Sequence, residues 1–171
     1  MWESSRVHRK SPEGSERTFA EAMNNFDFLL GNWTVANRRL RERLVGCQDW
    51  DEFEASSTAW SLLDGAANID QFTFPDGSTA LTLRLLDPQR QEWSLRWAAS
   101  SDGVLLPPVV GRFTDGVGTF YGDDEHQGTP VRVRYVWSEI TETSARWEQA
   151  FSTDGEQSWE INWIMQLTRK Q

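Results

Sequence analysis

The chain has a single cysteine, Cys47, and two histidines, His8 and His126. One thiol cannot form an intrachain disulfide, which fits a reducing compartment. Two histidines with no Cys pair give no metal-ligand spacing, so no metal site is expected; Asp123, Asp124 and His126 read as a solvated loop between two strands. No apolar run approaches the roughly 18 residues of a membrane span, and the N-terminus has no signal-peptide pattern. Positive charge is short as well. The net charge is −9 and the pI about 4.7, which argues against nucleic acid as the main partner. No Gly-x-Ser-x-Gly elbow and no phosphate loop is present. Any catalysis would rest on carboxylates, Arg, Tyr121 or Tyr135. These absences leave a soluble cytoplasmic protein, monomer or homodimer, with no nucleic-acid or membrane partner.

What the chain does have is aromatic bulk: ten Trp and nine Phe in 171 residues, enough for one core. Residues 1–17 are polar and without period, and read as a flexible tail; residues 18–171 read as one domain. Thr18 followed by Glu21 has capping-box spacing, and Phe19, Met23, Phe26 and Leu30 fall on one helical face. A short helix ending at Gly31 is therefore expected beneath the domain.

After Gly31 the period changes to two. Ten strand patterns follow, at about Trp33–Leu44, Trp50–Leu62, Asn68–Phe74, Thr79–Leu86, Glu92–Ala98, Val109–Phe113, Gly118–Tyr121, Val131–Ser138, Ser144–Phe151 and Trp159–Thr168. Five Asp-Gly pairs, the first at Asp64-Gly65 and the last at Asp154-Gly155, punctuate them. Gly takes positive φ at no steric penalty and Asp bonds nearby amides, so each pair is a hairpin signal. The fold class is all-β: an antiparallel up-and-down barrel of about ten strands. The four glycines from Gly111 to Gly122 predict that its two strands are the shortest and most bent. The basic run Arg38 to Arg43 reads as a hairpin arm in water or as a rim that attracts an anion.

Two readings of the strand faces stay open. In the first, Trp93, Leu95, Trp97, Val133, Tyr135, Trp137, Trp147, Phe151, Trp159, Ile161 and Trp163 point inward and the charged alternates face water. In the second, the charged alternates face a wet cavity, because ten strands enclose more width than side chains fill.

The triplet Gly31-Asn32-Trp33 resembles the Gly-x-Trp motif of the lipocalin and calycin superfamily. That resemblance implies a tryptophan plug at one end of the barrel, Trp33, with Arg169 from the last strand packed across it. The stretches FDFLLGNW, PPVVGRF with GVGTFYGDD, and RWEQAFSTDGEQSWEINW resemble an uncharacterised bacterial family with a calycin-type barrel. It brings no catalytic residue with it. Barrels of the fatty-acid-binding type often line their cavities with Arg, Tyr and Glu, which under the second reading makes Arg132, Arg134, Arg146, Glu148, Glu160, Asn162 and Tyr121 candidate ligand contacts. Ser152 to Trp159 resembles the Asp-box hairpin, with Asp154 tying the turn and Trp159 packing beneath it. Haem-binding calycins need a glycine-rich stretch and a late histidine that are missing here, so no cofactor is expected. The functional expectation is binding or carriage of a small hydrophobic or amphipathic molecule, a carboxylate-bearing one under the second reading. A barrel-cavity isomerase, cyclase or hydrolase, and a protein-interaction module, are the alternatives.

Overall fold

A computed structural model describes Ala22 and residues 24–171. The expected tail, and the expected helix start with Thr18, Phe19 and Met23, lie outside the described residues. Of that helix, the structure shows a short 3-10 helix over Asn24–Leu29. Ten strands follow: β1 (Gly31–Leu40), β2 (Trp50–Leu62), β3 (Ala67–Thr73), β4 (Thr79–Asp87), β5 (Glu92–Ala99), β6 (Val109–Thr114), β7 (Val117–His126), β8 (Thr129–Ser138), β9 (Ser144–Ser152) and β10 (Glu160–Arg169). Each pairs antiparallel with its neighbours in the chain, and β10 returns to β1, closing the barrel.

The hairpin turns follow from local chemistry. Asp115 and Gly116 both have positive φ, 50° and 78°, the conformation a two-residue hairpin turn requires. Gln127 and Gly128 do the same at 50° and 81°, which extends β7 to His126 and pairs it with Thr129. The glycine-rich segment thus contains one short strand, β6, and one of ten residues, β7. Asp123 to His126 is strand and not loop, because β8 supplies the partner that the sequence did not reveal.

Two other boundaries move. β1 ends at Leu40 and not at Leu44: the backbone bends away from the sheet over residues 41–45, with Leu44 at φ 63°. In β10 a bulge between Ile161 and Trp163 inserts Asn162 and shifts the phase. Before the bulge Glu160 pairs with Phe151 and faces inward, while Trp159 and Ile161 face outward; after it Trp163, Met165 and Leu167 face inward. The expected inward row Trp159, Ile161 and Trp163 is therefore corrected: only Trp163 faces in.

One end of the barrel is closed. Trp33 is fully buried there, and its indole N–H donates to the Leu29 carbonyl at 2.7 Å. The Arg169 guanidinium lies 4.2 Å from the Trp33 ring centre. It donates to the carbonyls of Leu30 at 2.6 Å, Phe28 at 2.6 Å and Glu142 at 2.8 Å. The 3-10 helix is thereby strapped to the last strand. Phe26 projects from it among Trp93, Phe113 and Phe120, with ring centres 5.0–5.7 Å away, and fills the floor.

Trp33→Ala removes this ring from a packed floor and is expected to lower stability by about 3–5 kcal/mol. Arg169→Ala is expected to lose less, and the double variant less than the sum, since both act on one contact. Urea denaturation of the three variants checks this; strict additivity would break the coupling.

Candidate functional site

Above the floor the barrel is not filled. A cavity of about 280 Å³ runs from Arg84 up to Arg43 and His126. Its wall is aromatic: Phe72, Trp97, Tyr135, Trp137, Trp147, Phe151 and Trp163. Alternation puts these rings inside, since paired residues on adjacent antiparallel strands share a face. Trp137 faces Trp147 and Tyr135 faces Gln149 across the β8–β9 pair. The rings pack edge to face, Trp147 on Trp163 at 5.7 Å and Tyr135 on Trp147 at 4.9 Å.

A few polar groups hold these rings in place. Trp163 donates its indole N–H to Asn37 Oδ1 at 2.9 Å, and Asn37 in turn donates to the Val35 carbonyl at 3.0 Å. Gln149 donates to Asn162 Oδ1 at 2.8 Å. Asn37 and Gln149 are thereby bonded into the wall, while Asn162 Nδ2 and the Trp137 indole N–H have no partner among the described residues.

At the inner end lies a group that the sequence did not reveal. Arg84 on β4 points inward with Thr82, while Leu81, Leu83 and Leu85 face out. Its guanidinium donates to Asp70 Oδ2 at 2.5 Å and to Asn68 Oδ1 at 2.9 Å. The Arg84 and Asp70 side chains are 2% and 3% exposed. Asp70 also accepts the Thr82 N–H at 3.0 Å, and Arg84 sits over Phe26 at 5.3 Å. The inner end is thus polar in form and neutral in charge. A signal existed: counting back from the Asp76-Gly77 turn puts Asn68 opposite Arg84 and Asp70 opposite Thr82.

At the mouth, β1 and β2 are joined by residues 41–49, which fold inward. The Leu44 N–H donates to both Glu160 carboxylate oxygens, at 2.9 and 3.0 Å. That fixes Arg43 in the cavity lining, with its guanidinium 5.5 Å from the Phe151 ring centre. Burial first, then the charge of Arg39, lowers the Arg43 pKa. Tyr135 also lines the cavity. Burial pushes its pKa well above the ordinary phenol range, and Asp124 adds to the rise while Arg43 opposes it, so it remains a neutral hydroxyl donor at pH 7. Asp124, Glu125 and His126 border the other side of the mouth, and the His126 ring rests 5.7 Å from that of Phe151.

The candidate residues from the sequence divide into two groups. Arg132, Arg134, Arg146, Glu148 and Tyr121 lie on the outer face, which corrects the reading that put them in the cavity. Their charges are paired there: Arg132 with Glu156 at 2.7 Å and Asp123 at 3.1 Å, and Arg146 with Glu148 at 3.3 Å. Arg134 stacks over Trp159 at 4.4 Å, and Tyr121 packs on Trp159 at 6.0 Å. The face is set by Val133, Tyr135 and Trp137, which claim the interior and leave the alternate positions to water. Glu160 and Asn162 do face inward, where they hold Leu44 and Gln149. In the β9–β10 turn Asp154 accepts from the Ser158 hydroxyl and N–H and from Ser152, which holds its pKa down at about 2. Trp159 packs outside the barrel beside that turn. Gly31 takes φ 103°, with a would-be Cβ 3.1 Å from Arg169 Nη1, a position suited to glycine.

No protein-family model matches the chain, and no curated protein matches it. Its fold is similar to that of Rv2717c from M. tuberculosis, at 14% identity and TM-score 0.58, over 88% of this chain and 98% of that one. It is also similar to the S-type phycobiliprotein lyase CPES from Guillardia theta, at 8% identity and TM-score 0.57, over 94% of this chain and 99% of that one. At such identities the likeness is one of fold.

The buried pair at the inner end has a testable consequence. Breaking it from one side, with Asp70→Leu or Arg84→Met, leaves an uncompensated charge in the core and is expected to lower stability by about 3–5 kcal/mol. Making both changes together is expected to recover most of that loss. Thermal melts of the single and double variants check it; a double variant as unstable as the sum of the singles would contradict the pairing.

Proposed function

We propose that this barrel binds a small, flat amphipathic molecule in its interior. One observation carries the reading: a cavity of about 280 Å³, closed at one end, walled by Trp97, Trp147, Trp163 and Tyr135, and provided with few polar groups. Its size lies just below the roughly 300–1,000 Å³ of ordinary small-molecule sites, and its mostly apolar wall with converging polar groups is their usual make-up. Flat rings are favoured because edge-to-face indoles leave slots that suit a planar body. The bacterial family that the motifs resemble brings no activity with it, so the proposal rests on the cavity. An open interior supports a carrier over an interaction module. The lone thiol, Cys47, is free and fits work in the cytoplasm.

The carboxylate-bearing ligand keeps its chemistry but changes its contacts. The Arg84 charge is answered by Asp70, so the inner end suits an uncharged group. Arg43 forms no ion pair within 4.0 Å among the described residues, and the Tyr135 hydroxyl lies in the same lining. An acid group at the mouth would meet a cation and a neutral donor there.

Intrinsic tryptophan fluorescence tests this. Fatty acids, aromatic acids and their neutral esters are titrated into the protein. Saturable quenching is expected, strongest for the aromatic members, with acids bound more tightly than esters. Arg43→Met is expected to shrink the acid preference, whereas Arg134→Met and Arg146→Met, on the outer face, are expected to leave it. No binding across the panel would overturn the reading.

A further inference from the structure

Beside the cavity, at the same mouth, lies a second and wider space of about 500 Å³. Phe53, Phe74, Pro75, Trp97 and Trp163 border it together with Arg39 and Arg43. Trp97, Trp163 and Arg43 border both spaces, so the two are chambers of one site and not separate pockets.

Arg39 is built into this outer chamber. It pairs with Trp163 across the β1–β10 boundary and with Asp51 across β1–β2, and its guanidinium lies 5.2 Å from the Phe53 ring centre and 5.3 Å from that of Trp163. Contact with two rings holds the guanidinium at the border of the chamber. A guanidinium has five N–H donors. Among the described residues neither Arg39 nor Arg43 donates a side-chain hydrogen bond to a protein group, and neither has an acid within 4.0 Å. Their neighbours in the basic run differ: Arg38 pairs with Glu52 at 3.0 Å and Arg41 with Asp51 at 2.9 Å. The acids nearest the mouth are otherwise engaged. Asp76, which also borders the outer chamber, accepts from the Ser78 N–H at 2.9 Å and the Ser78 hydroxyl at 2.6 Å, and Glu160 takes the Leu44 N–H. Asp124 and Glu125 border the inner chamber and not the outer one. The outer chamber thus holds two guanidiniums against one carboxylate, a net positive spot within a chain of net charge −9.

Two free guanidiniums beside one chamber offer two forks, and a carboxylate's two oxygens match only one of them face-on. An anion with three outward oxygens can engage both. We infer that the outer chamber holds the phosphate group of an aryl phosphomonoester, or a group of the same charge and shape, whose flat body lies in the inner chamber. This rests on the proposed binding of a flat molecule inside the barrel, and it adds a ligand class and a second anchor, Arg39.

Isothermal titration calorimetry with 2-naphthyl phosphate, 2-naphthoate, 2-naphthol and inorganic phosphate tests it. The aryl phosphate is expected to bind about tenfold or more tighter than 2-naphthol, with the naphthoate between them. Its affinity is expected to fall with added salt while that of 2-naphthol does not. Inorganic phosphate is expected to compete with the aryl phosphate and not with 2-naphthol, which separates the head-group subsite from the body subsite. Arg39→Met and Arg43→Met are each expected to reduce the phosphate-to-naphthol affinity ratio by about tenfold. Arg38→Met, on the outer face, is expected to leave that ratio unchanged. If 2-naphthol binds and the phosphate gains nothing, or if Arg39→Met leaves the ratio as it was, the phosphate subsite is refuted while the cavity reading stands. If none of the four compounds binds, both are refuted. The salt dependence of the unaltered protein carries the test should a variant fail to fold.

Discussion

The Arg169 guanidinium joins three parts of the chain at one point. It lies on the Trp33 ring at the start of β1, comes from the end of β10, and donates to Phe28 and Leu30 in the segment beneath the barrel. The first and last strands are thus locked at the point where the ring closes. A floor forms there, with Phe26 seated among the rings of β5, β6 and β7. A barrel with one sealed end has an inside that differs from its outside, and the site depends on that difference.

Ten strands enclose more width than this set of side chains fills. The remaining space is graded along the barrel axis. At the inner end a buried Arg84–Asp70 pair is locally neutral; in the middle the wall is nearly all aromatic; at the mouth Arg39 and Arg43 are positive without ion partners among the described residues. A molecule with an apolar body and one charged end is complementary to this order in a single orientation. Much of the chain's other positive charge is spent on the surface, in pairs such as Arg132 with Glu156 and Arg112 with Glu92, which contribute little to stability.

The barrel was legible in the sequence because its signals are local. Asp-Gly pairs mark hairpins by their own backbone preferences, and alternation in β5, β8 and β9 separates Trp93, Tyr135 and Trp147 from their charged neighbours. The site was less legible because its signals are not local. Asn162 looks like one more step in an alternating strand, yet it is the bulge that turns Glu160 inward and Trp159 outward. Arg84 sits between Leu83 and Leu85, so hydrophobicity alone sends it to water; only the hairpin register, which puts Asn68 opposite Arg84 and Asp70 opposite Thr82, reveals the interior pair. Arg39 and Arg43 are two of four arginines in a six-residue run. Arg39 faces the mouth from β1, opposite Trp163, but Arg43 does so only because Glu160 grips Leu44 from 116 residues away. The charged candidates Arg132, Arg134 and Arg146 were plausible ligand contacts by composition and are excluded by face.

The central claim is that the ligand surface is the inner aromatic wall. Fluorine NMR of protein labelled with 5-fluorotryptophan addresses it directly, because the nine tryptophans among the described residues sample the floor, the wall and the exterior. With resonances assigned by single Trp→Phe changes, 2-naphthol is titrated in. The account predicts that Trp97, Trp147 and Trp163 shift together and saturably while Trp50, Trp60 and Trp159 stay in place. Shifts confined to Trp60 and Trp159, with the inner three unmoved, would contradict it.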